Sequence, residues 1–266
     1  MSTAVSTQRE RDAFPVNWQR RAGFILFGLY CVYAMSTLDI TWVRFVKGLD
    51  QGAIFLNRLW PPNFAPDKVA LMTEGLLESV QIAILATAVG IILSLPLGLM
   101  SARNIVPGWL SWVGRTIIAI CRSFHPMIVA ILFVKAVGFG SLAGILALVI
   151  SSIGFIAKLF AEAIEEMNMK QVEAVRATGA SWFNVLIMGV LPQVIARFVG
   201  FSAYQLDSNL RNSTMVGIVG GGGIGATLFT AYQRFDYDFV MTILLAIIAI
   251  IMVSEILSGW LRKVFQ

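Results

Sequence analysis

Arg122 and His125, and further along Asp207, Asn209 and Arg211, put charged and hydrogen-bonding groups into stretches otherwise apolar enough for hydrocarbon. At membrane depth a charge costs about 2.5–3.5 kcal/mol, so such groups persist where they face water or one another. A guanidinium in an aqueous path attracts oxyanions through paired hydrogen bonds. Read that way, Arg122, Asn209 and Arg211 are offered to a passing anion. Asp207 and Arg211 stand four apart and can equally neutralise each other on one helix surface. Arg115, Arg122 and His125 recur at i, i+7 and i+10, which places them on one helical face. Pro126 releases the carbonyl of Arg122 from its usual partner and implies a kink there. Arg115 lies close enough to the membrane surface to snorkel. His125 serves either as a ligand or as a hydrogen-bonded packing residue.

Other chemistry is excluded by what is missing. The chain has one histidine and two cysteines, Cys31 and Cys121, which form neither a histidine metal site nor a zinc spacing. No nucleophile, base and acid stand together as an enzyme would need. The run Gly220, Gly221, Gly222, Gly223, Ile224, Gly225 matches glycine-rich nucleotide loops in form only. Ala226-Thr227 follow where a phosphate loop needs Lys and Ser or Thr, and no strand precedes it. Glycines beside a bilayer let the backbone bend through conformations closed to other residues, or let helices approach closely. A gate or hinge and simple close packing are the two readings.

These residues need helices to hold them, and composition says in which solvent. Of 266 residues, 58% are hydrophobic and 13% charged, and the mean hydropathy is +0.79. That is membrane composition. The net charge of +5 suits basic loops against an anionic bilayer surface rather than nucleic acid. Six spans are expected: Ala22–Leu38 as a retained first helix, Leu76–Met100 with Pro96 kinking its last turns, Trp109–Val137, Leu142–Phe160 capped by Ser141, Pro192 to about Thr214, and Phe239–Leu261. Between the first two, Trp42, Val43, Val46 and Leu49 alternate with Arg44, Lys47 and Asp50, fitting either an amphipathic helix in the outer interface or a solvated loop. The basic residues at 9–21, 103, 158–176 and 262–263 place both termini in the cytoplasm. Residues 1–21 read as a cytoplasmic segment and 22–266 as one membrane domain.

The cytoplasmic loop 161–193 is the most informative stretch. Lys170, Glu173 and Arg176 share one short helix that Gly179 ends in a left-handed cap. Ser181 caps a second short helix through Ile187, and Pro192 opens the next span. Helices this short are marginal alone, so something must hold them.

EAVRATGASWFNVLIMGVLPQV at 173–194 resembles the coupling loop of ABC importer permeases. LSLPLGLMSARNIVP at 93–107 and SNLRNSTMVGIVGGGGIG at 208–225 are similar to the phosphonate-type branch of that family. Val219–Gly225 is also similar to methionine-type permeases. Val175 stands where the family motif has a second Ala, and Gly189 where many importers have Ile. The resemblance implies an all-α fold of the type I importer, like a methionine permease, in the bacterial inner membrane. It implies a homodimer of this chain, two ATPase subunits that bind ATP and magnesium, an extracytoplasmic binding protein, and lipid around the whole. Glu173, Ala174, Arg176 and Gly179 would dock on the ATPase, and the cargo would be phosphonate or a related phosphorus oxyanion. A methionine-type importer, and a self-powered secondary transporter, are the alternatives; the second would need an internal repeat, and none is visible.

Overall fold

The computed structural model describes residues 18–38 and 41–265, with side chains as far as Trp260. The expectations resting on Arg9 and Arg11 lie outside the described residues. Every regular element described is helical, and the chain divides into two units, Met1–Asn57 and Arg58–Gln266.

The first unit holds α1 (Trp18–Thr37) and most of α2 (Trp42–Leu59). α1 is apolar around its circumference and buries none of its side chains, the pattern of a helix solvated by lipid. The stretch after residue 41 is a helix rather than a solvated loop. α2 runs to Leu59 and stops before Pro61 and Pro62, which cannot continue a helix.

The second unit begins with α3 (Pro66–Ser101), which starts well before the expected Leu76 because Pro66 sets the first turn. Pro96 lies inside it. α4 (Gly108–Ser123) and α5 (Pro126–Val137) follow, then α6 (Ser141–Glu165). After α6 come α7 (Met169–Ala177), α8 (Trp182–Val185), α9 (Leu191–Ile218), α10 (Ile224–Gln233) and α11 (Tyr237–Phe265). α3, α6, the stretch Trp182–Ile218 and α11 are each long and apolar enough to cross a membrane. Counting α4 with α5 and α1 with α2 as broken spans brings the total to six.

Three expectations need correction. Trp109–Val137 is not one kinked helix, because α4 and α5 meet at 87°. Phe124 and His125 are both extended, as the residue before a proline prefers. His125 therefore leaves the face it was expected to share with Arg115 and Arg122. Gly140, at φ 131°, holds the cap position of α6, so Ser141 is its first residue and caps nothing. Nor does the chain break at Ile187. A π turn, Leu186–Val190, joins α8 to α9, and the amide of Leu191 donates to the carbonyl of Leu186. That extra residue per turn absorbs the missing N–H of Pro192. α10 was not anticipated.

α3 and α6 form the axis of this unit. The buried side of α3 is a stripe of small residues, Gly75, Ser79, Ala83, Ala86, Gly90, Ser94, Gly98 and Ser101. It lets backbones approach as small-residue helix interfaces do. A Cβ at Gly98 would come 2.7 Å from Phe160 Cδ1, and one at Gly75 2.9 Å from Thr227 Oγ1. Around this axis Ile82, Val129, Leu148 and Val216 close a core drawn from α3, α5, α6 and α9.

Candidate functional site

α7 is built to be displayed. Asn168 caps it through Oδ1, which accepts from the Lys170 amide at 3.1 Å. Gly179 ends the segment at φ 75° in open space, the left-handed geometry expected of it. Ser181 sits at the start of α8, but its hydroxyl makes no capping bond. Glu173, Ala174 and Arg176 are all exposed on α7, and only Val172 is buried. Val172 is fully buried, which is worth about 1.5–3 kcal/mol. It joins a cluster with Ala102, Phe160, Ile164, Leu186 and Val190. Gly189 faces it: a Cβ there would stand 3.3 Å from Val172 Cα. The departure to glycine at 189 thus makes room for α7.

Two side chains on α9, one turn apart, grip the link between α6 and α7. Gln193 accepts from the Asn168 amide at 3.1 Å and donates to the Asn168 and Gly189 carbonyls at 3.4 and 2.6 Å. Arg197 donates to Glu166 Oε2 at 2.8 Å. The α3–α4 loop ties the same end of α6: the Arg103 amide donates to Glu165 and the Asn104 side chain to the Ile164 carbonyl. Arg115 does not snorkel alone, because both oxygens of Glu165 accept from its guanidinium. Sequence reasoning missed Gln193. The available signal was a long amide side chain directly after a proline that strips the helix of a donor.

The polar residues of α9 fall into two groups. Asp207 Oδ2 and Arg211 Nη2 form an ion pair at 2.6 Å, the carboxylate 7% exposed and the guanidinium 41%. Asp207 Oδ1 also accepts from Ser254 on α11 at 3.0 Å. Asn209 is fully buried. It donates to Thr87 and Ser152 at 2.9 and 2.8 Å and accepts from Gln205 at 3.0 Å. Its amide, expected to face a passing anion, is instead held in a clasp across α3, α6 and α9. Arg122 is exposed and makes no hydrogen bond or ion pair among the described residues. His125 caps α5, its Nδ1 accepting from the Met127 amide at 3.3 Å.

The glycine run turns the chain from α9 into α10. Gly220, Gly222 and Gly223 have φ of 99°, 79° and 74°, where a side chain is strained. Gly221 and Gly225 pack where a Cβ would strike Val216 and the Thr214 carbonyl respectively. All five positions thus have a turn or a close approach that calls for glycine.

A long apolar bundle carrying one short polar helix, clamped at its end and displayed, defines a membrane-embedded helical component. Residues 94–266 match the family described as the binding-protein-dependent transport system inner membrane component, and the chain belongs to that family. The phosphate-import permease PhnE of Mycolicibacterium smegmatis is 41% identical over 88% of this chain and 44% of its own length. The chain therefore spans less than half of that relative. The phosphite transport permease PtxC of Stutzerimonas stutzeri is 38% identical over 97% of this chain and 95% of its own. A probable D-methionine permease of Pasteurella multocida is 28% identical over 71% of this chain and 93% of its own. The solved inward-facing MetNI methionine transporter superposes with a TM-score of 0.68 at 22% identity, over 76% of this chain and 100% of that one. The fold is that of a type I importer permease.

Proposed function

We propose that this chain is the permease subunit of an ATP-driven importer for a small phosphorus oxyanion, coupled through α7 to a separate ATPase. The observation that carries the reading is the clamped, exposed α7: Val172 anchors it and Gln193 fixes its start, while Glu173 and Arg176 face outward. A rigid lever suits a subunit that must follow the movement of a partner. ATP and magnesium bind on that partner, and an extracytoplasmic binding protein delivers the cargo. Two copies of this chain enclose the path. A phosphate-import permease and a phosphite transport permease each align with most of this chain, which favours a phosphorus oxyanion over methionine.

The experiment is reconstitution of the permease with its ATPase and binding protein in liposomes, with labelled phosphite and phosphate outside and ATP inside. ATP-dependent accumulation of either anion supports the reading. Accumulation of methionine alone would overturn the substrate. Uptake by the permease without the ATPase would overturn the class.

A further inference from the structure

Two clefts flank Arg122. The upper one, about 360 Å³, opens at the break between α4 and α5, where Arg122 meets His125 and Ser151. The lower one, about 300 Å³, lies between α4 and α6, where Arg122 meets Arg115, Lys158 and Glu162. Of these cations Arg115 is bound to Glu165 and Lys158 lies 3.4 Å from Glu162. Arg122 has no such carboxylate among the described residues. Gly154 makes room for it, since a Cβ there would lie 2.8 Å from Arg122 Cγ. Gly154 stands about 17 Å before the end of α6, at roughly 1.5 Å per residue. A lone charge so far from the helix end needs water or an anion. His125 adds a polar atom: its Nδ1 accepts from the Met127 amide, which leaves Nε2 for another partner.

We propose that these clefts form the cytoplasmic half of an oxyanion path, with Arg122 passing a tetrahedral phosphorus oxyanion from His125 and Ser151 down to Lys158. The inference rests on the reading that the chain conducts such an anion. Arg122 borders both clefts and so contacts the anion on each side of the transfer. The bidentate guanidinium holds a tetrahedral oxyanion in either cleft. Glu162, beside Lys158, weakens the lower site and favours release toward the cytoplasm. A phospholipid headgroup carries the same phosphate chemistry, but headgroups lie near the ends of spanning helices, whereas Arg122 packs against Gly154 at the middle of α6.

Cys121 borders the upper cleft and gives a direct probe. The assembled transporter, carrying Cys31→Ser, is placed in phosphatidylcholine nanodiscs and treated with anionic and cationic methanethiosulfonates. The anionic reagent should modify Cys121 faster by on the order of tenfold, the effect of a local potential of a few kT. Inorganic phosphate should slow it. Arg122→Lys should keep the preference and Arg122→Gln abolish it. Equal rates before the substitution, or no labelling by either reagent, overturns the proposal. So does protection by phosphatidylglycerol without protection by inorganic phosphate, which would make the cleft a lipid site. Loss of the labelling preference with ATP-driven uptake intact rejects this path alone. Absence of ATP-driven anion uptake by the unsubstituted transporter, with the preference present, rejects the importer reading instead.

Discussion

The side-chain amide of Gln193 holds both backbone groups of Asn168, accepting from its N–H at 3.1 Å and donating to its C=O at 3.4 Å. One residue of α9 thereby fixes the first turn of α7, tying that short exposed helix to one long enough to cross a membrane. Arg197 repeats the grip one turn on, through Glu166.

Gln193→Ala removes both contacts and leaves α7 held by its apolar side and by the Arg197–Glu166 pair beside it. The expected outcome is a permease that assembles with its ATPase but loses most substrate-stimulated hydrolysis and uptake. Gln193→Glu keeps the acceptor and loses the donors, and should be intermediate. Proteoliposome uptake beside ATPase assays checks the order. Equal uptake in all three proteins would show that the grip transmits nothing.

Asp207 and Arg211 make the next case. With the carboxylate nearly buried and the guanidinium partly exposed, Arg211→Gln leaves the Asp207 charge with the Ser254 hydroxyl but no cation. Removing one partner of a half-buried pair should lower the melting temperature of the purified permease, by less than breaking a fully buried pair would. Asp207→Asn together with Arg211→Gln should restore much of that stability. If the double variant is stable yet fails to transport, Arg211 contacts the cargo as well. Recovery of uptake would confine it to the pair.

Much of this architecture could be read from the residues, and the gaps have physical causes. Hydropathy locates spans because lipid demands long apolar helices, and the left-handed end at Gly179 follows from glycine alone. The break at Phe124–His125 was half legible: Pro126 announced a kink but not that the chain would turn by 87°. Periodicity carried Arg122 and His125 onto one face because it assumes an unbroken helix. Asn209 was misplaced for a different reason. A polar residue in a span reads the same whether it meets water or the hydroxyls of Thr87 and Ser152, which come from other helices. The π turn before Pro192 left no pattern that hydrophobic spacing detects.

The Asn209 clasp offers a stability test of its own. Asn209→Leu removes hydrogen bonds to α3 and α6, each worth about 0.6 kcal/mol on average in membrane proteins. It also leaves Gln205 and two hydroxyls without that partner. A drop of a few degrees in melting temperature is expected, and Ser152→Ala should give a smaller one. No shift in either would mean the clasp adds nothing to stability.

Glycines 179 and 225 should respond differently to alanine. Gly179 stands in open space, so Gly179→Ala meets only the left-handed backbone, at about 1–2 kcal/mol. Gly225→Ala drives a methyl into the Thr214 carbonyl and should sharply reduce folded yield. Gly222→Val adds strain at φ 79° and should likewise act on assembly before transport. Size-exclusion profiles of the detergent-solubilised variants check this. Well-assembled but inactive Gly222→Val protein would instead make the segment a moving gate.

Coupling through α7 is the central claim, and the affinity of the ATPase subunit for the permease tests it most directly. Titrating that subunit onto nanodisc-embedded permease, Glu173→Lys should weaken binding by on the order of tenfold, or about 1.4 kcal/mol, within the usual range of coupling energies between sites. Substrate-stimulated hydrolysis should fall with it. Unchanged affinity together with unchanged stimulation would contradict the account.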